Sequence, residues 1–279
     1  MTDKNIHFLI LEDIARELSG DVNFPTCLDA ALLIRDTLKD PMVDLERVVQ
    51  VVSVEPLLSS KLLRLANSVN YNPSGQPIAE LGRAVSRIGF DNVRTLSLAL
   101  AMDQMLKSRN LAAYDDIAHR AWEHSIHVAA ICRVLAKHIG RHKPDEAMLL
   151  GLVHDMGVFY LLYRAVAYPE YRNNRDAMLD LLRGWHEPIG ESLLFALGVP
   201  ERIASALQDH DRIQNIETPS SLHDLLYFAN LLATGDEEWN PGDSTPESQS
   251  LREIDRARYA PLVAEADEDI NTLRAALRI

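Results

Sequence analysis

No segment of this chain sustains an alternation of apolar and polar residues; its apolar residues recur instead at intervals of three and four. That spacing follows the 3.6-residue turn of an α-helix and conflicts with the two-residue period of a half-buried strand. Leu28, Ala31, Leu32 and Leu38 form one such stripe. Leu57, Leu62, Leu65 and Ala66 belong to a second, and Ile203, Ala206 and Leu207 to a third. The breaks between stripes fall at turn-forming residues: Asp40-Pro41, Asn72-Pro73-Ser74-Gly75, Lys143-Pro144, Gly198-Val199-Pro200, Thr218-Pro219 and Gly235. Several breaks carry helix-start chemistry. Pro144-Asp145-Glu146 and Pro200-Glu201 each put a proline and acids in a first turn, and Ser221-Leu222-His223-Asp224 reads as a capping box. The pattern predicts an all-α chain.

At 279 residues the chain is long enough for a large core. It divides into a leader helix over 1–19, a main body over 20–235, and an acidic linker and tail helix over 236–279. Inside the body, Lys107-Ser108-Arg109-Asn110 marks a weak seam between Met105 and Asp116. It separates an N-terminal helical part, 20–112, from a histidine-bearing part, 113–235. After Gly235, Asp236-Glu237-Glu238 and the run from Asn240 to Pro246 are acidic and turn-rich. The tail from Leu251 to Ile279 is expected to dock on the body or on a partner.

A formal net charge of −13 argues against a nucleic-acid partner gripped through its phosphates. The two cysteines, Cys27 and Cys132, sit in apolar helical contexts and read as buried thiols of a reducing compartment. Met1 to Asn5 lacks the basic start of a secretory signal, and the apolar run from Leu149 to Tyr163 is interrupted by His154 and Asp155. A cytoplasmic protein with no membrane partner is expected.

Chemistry concentrates in Gly151-Leu152-Val153-His154-Asp155-Met156-Gly157. Ala147, Leu150, Gly151, His154, Val158 and Leu161 share one predicted helical face, which turns His154 inward. Gly151 and Gly157 leave room for a close neighbour. His124 is inward too, on the stripe of Ala121, Val128, Ile131 and Leu135. His186, His210 and Asn230 follow at helix-sized intervals. Imidazoles and a carboxylate converging from several helices make a site for a hard or borderline divalent metal. The last member of the series, Asn230, offers only an uncharged carbonyl oxygen where a carboxylate would complete the set. Each histidine also has a plainer reading. His210 would be a basic group at the end of the helix begun at Pro200, and His186 a polar residue near a helix start. His119, His127, His138 and His142 are expected at surface or flanking positions, without chemistry.

Trp122-x-His124-Ser125, the Gly151–Gly157 segment, His186-x-x-x-Gly190 and Leu197-Gly198-Val199-Pro200 with His210 together resemble the HDOD family, an HD-related output domain. The first half agrees through Phe24-Pro25, the run from Val54 to Ser68 that ends in Leu63-Arg64-Leu65-Ala66-Asn67-Ser68, and Ala84-Val85-Ser86-Arg87-Ile88-Gly89-Phe90. The likeness covers roughly residues 20 to 235. It implies an HD-like helical bundle with an N-terminal helical subdomain, used in bacterial signalling and acting through protein contacts. Catalytic relatives hold divalent metals with an ordered His…His-Asp…His…His…Asp series. Position by position that series falls on His124, His154, Asp155, His186 and His210, with Asn230 in place of the final Asp. Val158 stands where those relatives carry lysine, and no Gly-Tyr-Pro segment follows His210-Asp211. Glu55 replaces an Asp at a helix cap.

The resemblance implies a regulatory module that binds a signalling protein or a ligand, with a degenerate HD metal site and no catalytic residue. The alternative is a divalent-metal-dependent phosphohydrolase acting on nucleotides or cyclic dinucleotides, with Fe, Mn, Mg or Ni held at the site and Asp155 orienting the water. A third reading makes the histidines purely structural.

Overall fold

The computed structural model describes residues 6–20, 26–212, 214–233 and 246–277, and every regular element among them is a helix. Phe24, Pro25 and most of the acidic linker lie outside the described residues. The leader forms α1 (Ile6–Leu18). Next come α2 (Asp29–Leu38), α3 (Leu45–Ser53), α4 (Pro56–Ala66) and the long α5 (Leu81–Leu106). A 3-10 helix, Arg109–Tyr114, occupies the predicted seam. It leads into α6 (Asp115–Ile139), α7 (Pro144–Val153), α8 (Met156–Ala165) and the single turn α9 (Pro169–Arg172). The remainder is α10 (Arg175–Ala196), the short α11 (Glu201–Ala204), α12 (Leu222–Leu232) and α13 (Pro246–Leu277).

Local chemistry starts these helices. The Asp44 carboxylate accepts from the Arg47 amide at 2.8 Å ahead of α3. The Glu55 carboxylate accepts from the Leu57 amide at 3.2 Å ahead of α4, so the replacement at 55 keeps the capping role. The capping box of α12 forms as predicted: Ser221 Oγ accepts from the Asp224 amide, while Asp224 accepts from the Ser221 amide. Ser221→Ala is expected to cost about 1 kcal/mol, read as a lower midpoint in urea unfolding at unchanged slope.

Three details depart from the sequence pattern. Leu57 is 39% exposed, and its neighbour Leu58 fills the core with Leu62 and Leu65. Leu62, Leu65 and Ala66 lie on the buried face as the stripe predicts, and Leu58, four residues before Leu62, takes the place expected for Leu57. The face drawn from Ala147 to Leu161 is not one helix, because α7 ends at Val153 and α8 begins at Met156. The helix begun after Pro200 stops at Ala204, passes through one 3-10 turn at Ser205–Leu207, and is over before His210.

One apolar core runs through both halves of the body. The central helix α6 packs against α7, α12 and α13, and α8 packs against α10. The link between halves is α5. It bends at Gly89, whose φ of 80° suits glycine and strains other residues. It contacts α2, α3 and α4 as well as α7 and α8. By length and composition the Pro144–Ala165 stretch is apolar enough to cross a membrane, but it is 94% buried here and forms the packed centre of the fold. Both cysteines are buried and unpaired, as expected from their contexts.

The tail docks on the body. Ala266, Ile270, Leu273, Ala276 and Leu277 of α13 are buried against it. Asp269, among them, accepts from Arg133 at 2.6 Å, from Lys137 at 3.3 Å and from Asn70. At the C-terminal end of α13, buried Lys61 donates to the Leu277 carbonyl and Arg64 to that of Ala275.

Candidate functional site

Two glycine contacts bring the histidine-bearing helices together. A Cβ on Gly151 would lie 2.7 Å from the backbone of Ala129, so α7 can approach α6 this closely only without a side chain there. A Cβ on Gly157 would lie 1.9 Å from the carbonyl oxygen of His186, and Gly190 faces the same crossing. These contacts set α6, α8 and α10 around the corner between α7 and α8. That corner is His154-Asp155 itself. The helical ladder breaks there, and the two adjacent side chains turn into one space.

The fourth histidine arrives from a turn. Asp209 adopts a left-handed φ of 56°, a conformation that Asp tolerates better than most residues. It directs His210 and Asp211 together into the cluster.

All the predicted site residues meet. His124, His154, Asp155, His186 and His210 are buried, and Asn230 is half-buried beside them. The His124 and His154 rings lie 5.3 Å apart, His154 and His210 5.3 Å, and His186 and His210 6.0 Å, measured between centroids. His186 belongs to the middle of α10, not to a helix start, and His210 lies in a turn, not at a helix C-terminus. Neither plain reading holds. His119 and His138 are exposed, and His127 and His142 half-buried, and none of the four belongs to a group of potential metal ligands.

Three imidazoles are oriented in the same way. Nδ1–H donates to a backbone carbonyl: His154 to Gly151 at 2.8 Å, His186 to Leu182 at 2.8 Å and His210 to Leu207 at 2.7 Å. A backbone acceptor on Nδ1 fixes the ring and leaves Nε2 to face inward, the arrangement that metal-ligating histidines use. His154 Nε2 and His210 Nε2 are buried without a hydrogen-bond partner. They lie 3.4 Å from Asp155 Oδ2 and 4.0 Å from Asp155 Oδ1 respectively.

Asp211 and Glu187 also enter the cluster, and neither was singled out as a ligand from the spacing. Asp211 accepts from His186 Nε2 at 3.0 Å and from Asn230 Nδ2 at 2.9 Å, and lies 3.4 Å from His210 Nε2. Glu187 Oε1 lies 3.3 Å from His210 Nδ1. The signal was present in the sequence, since His210-Asp211 repeats the dipeptide His154-Asp155. Asn230 Oδ1 meets His124 Nε2 at 2.7 Å, so the amide spans from His124 to Asp211.

Electrostatics divide the cluster in two. Burial holds His124 and His154 neutral, pushing them down to about 4 and about 3. Burial opposes charge on His210 as well, but Asp211, Glu187 and Asp155 outweigh it and carry the ring up to about 10. The same opposition is overcome at His186 by its bond to Asp211. Burial acts against the Asp211 carboxylate too, yet His210 and His186 hold it well below the usual carboxylate range. Burial raises the Asp155 carboxyl.

Potential ligand atoms fall into two adjoining groups, His124, His154 and Asp155 in one and His186, Glu187, His210 and Asp211 in the other, each within 4.8 Å. Imidazole nitrogens and carboxylate oxygens without thiolate suit a borderline or hard divalent cation. Unpartnered buried Nε2 atoms beside carboxylate oxygens fit a cation between them.

The HDOD domain family matches residues 24–213. An uncharacterized protein of Treponema pallidum (strain Nichols) is 24% identical over 227 residues, which cover 75% of this chain. The match spans 42% of that relative's length. Among solved structures, a candidate metal-dependent phosphohydrolase from Shewanella amazonensis superposes with a TM-score of 0.73 at 22% identity, covering 99% of this chain and all of its own. An HDOD domain protein of unknown function from Geobacter sulfurreducens gives 0.57 at 22% identity, covering 95% of this chain and 96% of its own. A candidate signal transduction protein from Marinobacter aquaeolei gives 0.60 at 21%, covering 99% of this chain and 66% of its own. At such identities the likeness speaks for the fold.

Proposed function

Because the chain belongs to the HDOD family, we propose that it is a bacterial signalling module that works by binding, with its histidine–carboxylate cluster holding a divalent cation as a structural or regulatory centre. The observation that carries this reading is the enclosure of the inward-facing imidazoles. His154 is 0% exposed and His210 1%, and both aim unpartnered Nε2 atoms at Asp155. A hydrolytic metal keeps a coordination position open to water and substrate, whereas a structural one is closed by the protein. Buried ring nitrogens and carboxylates supply the closed kind. His124 on α6, His154 and Asp155 at the α7–α8 corner, His186 on α10 and His210 in the turn after Leu207 would hold such a cation, which would supply positive charge against the inward carboxylates. The chain's own residues do the rest. Backbone carbonyls of Gly151, Leu182 and Leu207 hold three rings in place, and the Asn230 amide holds His124 and Asp211.

The signal then passes to a protein partner in the cytoplasm through the helical surface; buried free thiols support a reducing compartment. A second reading, a metal-dependent phosphohydrolase, is favoured by one observation: Asp211, Glu187 and Asn230 on one side of the cluster are only half-buried. On that side a small phosphoester could approach.

One experiment separates the two. Manganese added at 100 times its dissociation constant is expected to stabilise the protein by about 2.7 kcal/mol, a rise in melting temperature of roughly 5–10 °C. His154→Ala is expected to abolish the rise. Manganese-loaded protein is expected to leave a generic phosphodiester and cyclic dinucleotides intact. Turnover that disappears in His154→Ala would establish the hydrolase and remove the binding-only reading.

A further inference from the structure

We propose that Asp211 supplies the carboxylate missing from the ordered series at Asn230, so that the centre keeps two anionic ligands, Asp155 and Asp211, with Asn230 as a positioning residue. The inference rests on the cluster being a divalent-cation site and names the ligand that makes its charge sufficient.

Asp211 is placed as a ligand would be. One of its oxygens accepts from His186 Nε2 at 3.0 Å, and the other from the Asn230 amide at 2.9 Å. His210 Nε2, buried and without a hydrogen-bond partner, lies 3.4 Å from Asp211 Oδ1 and 4.0 Å from Asp155 Oδ1, between the two carboxylates. Asp211 enters from the turn set by the left-handed Asp209, not from a helix, so helix-sized spacing does not find it.

Positions 211 and 230 are chemically matched. An amide can donate to Asp211 through Nδ2 and accept from His124 Nε2 through Oδ1 at the same time, and here it does both. A carboxylate at 230 would have no proton to donate, and it would set two anions within hydrogen-bond distance in a buried place. Like charges so close do not both ionise without a cation between them. Given Asp211, asparagine is the residue that fits at 230. Asn230 is therefore the counterpart of a relocated carboxylate. A hard or borderline divalent ion such as Mn2+ or Ni2+ is the ligand class that two carboxylates and inward imidazole nitrogens select.

The test is equilibrium binding of Mn2+ by calorimetric titration, with bound metal counted by elemental analysis and folding checked by circular dichroism. Asp211→Asn is expected to weaken Mn2+ binding by about 100-fold, because groups that merely orient metal ligands already cost 10–100-fold. Asn230→Asp alone is expected to bring no tighter binding, since it adds repulsion against Asp211. The double variant, Asp211→Asn with Asn230→Asp, moves the carboxylate across the same hydrogen bond and is expected to recover binding to within about tenfold of the parent. If Asp211→Asn binds Mn2+ as the parent does, the role given to Asp211 is overturned while the metal centre stands. If the parent takes up no Mn2+ or Ni2+, the metal-centre reading itself falls, and this inference with it. Should Asp211→Asn fail to fold, the double variant decides: recovered binding supports the relocated carboxylate, and a folded double variant without binding overturns it.

Discussion

Gly157→Ala is expected to destabilise the protein by roughly 3 kcal/mol or more and to remove the manganese-induced rise in melting temperature from whatever protein still folds. The added methyl has nowhere to go. Its position lies 1.9 Å from the His186 carbonyl oxygen and 2.8 Å from the Gly190 amide nitrogen, both backbone atoms that no side-chain rotation can move. Relief requires α8 and α10 to separate. Their crossing sets the distance from His186 to the rest of the cluster, so stability and metal affinity fall together. Gly184, on the same helix as His186, is the control, because a Cβ there meets nothing within 4 Å. Gly184→Ala exchanges a flexible residue for a good helix former at an exposed position and is expected to stabilise by about 0.5–1 kcal/mol. Urea midpoints of the two variants should therefore move in opposite directions. A Gly157→Ala midpoint within experimental scatter of the parent would mean that the crossing is not as tight as these contacts require.

The same glycine shows how far sequence reasoning reaches in this chain. Apolar period and turn residues suffice for an all-α fold, because a helix needs only one consistent face to declare itself. The site residues are legible for a related reason: His124 and His154 interrupt apolar faces, and a polar group there must find a partner inside. The break at His154-Asp155 is another matter. Residues on both sides continue the same apolar character, and neither proline nor a turn-forming pair marks the end of α7 at Val153. Asp209 is similar. Its left-handed backbone turns the chain after Leu207, and a helical period extended through it puts His210 at a helix end it does not occupy. Asp211 escapes for the same reason, since counting in helix-sized steps leads past it to Asn230. Helix-sized spacing thus misses two carboxylates beside the centre, Asp211 and Glu187. The composition of the series was visible, but its closure depended on a turn.

Asp269→Ala is expected to cost about 3–5 kcal/mol and to free α13 for proteolysis. Asp269 is 4% exposed and Arg133 8%, and they pair at 2.6 Å where α13 crosses α6. Removing the acid leaves a buried guanidinium with only Asp145, at 3.3 Å, and the face of Tyr71 for compensation. The penalty is the desolvation of that cation, which is why losing one partner costs far more than the pair contributes. Lys137 and Asn70 lose the same acceptor. A double variant, Arg133→Met with Asp269→Leu, removes both charges and keeps the volume, so it is expected to recover most of the loss. Limited proteolysis followed by mass spectrometry reads the location: cuts within residues 246–277 should appear in Asp269→Ala and be suppressed in the double variant. Those cuts bear on function because α13 also packs on α12, which carries Asn230, while α6 carries His124. Loosening the tail therefore acts on two of the helices that meet at the centre. If Asp269→Ala melts with the parent and resists protease equally, α13 is held without this ion pair, by its apolar face and by the Lys61 and Arg64 bonds at its C-terminal end.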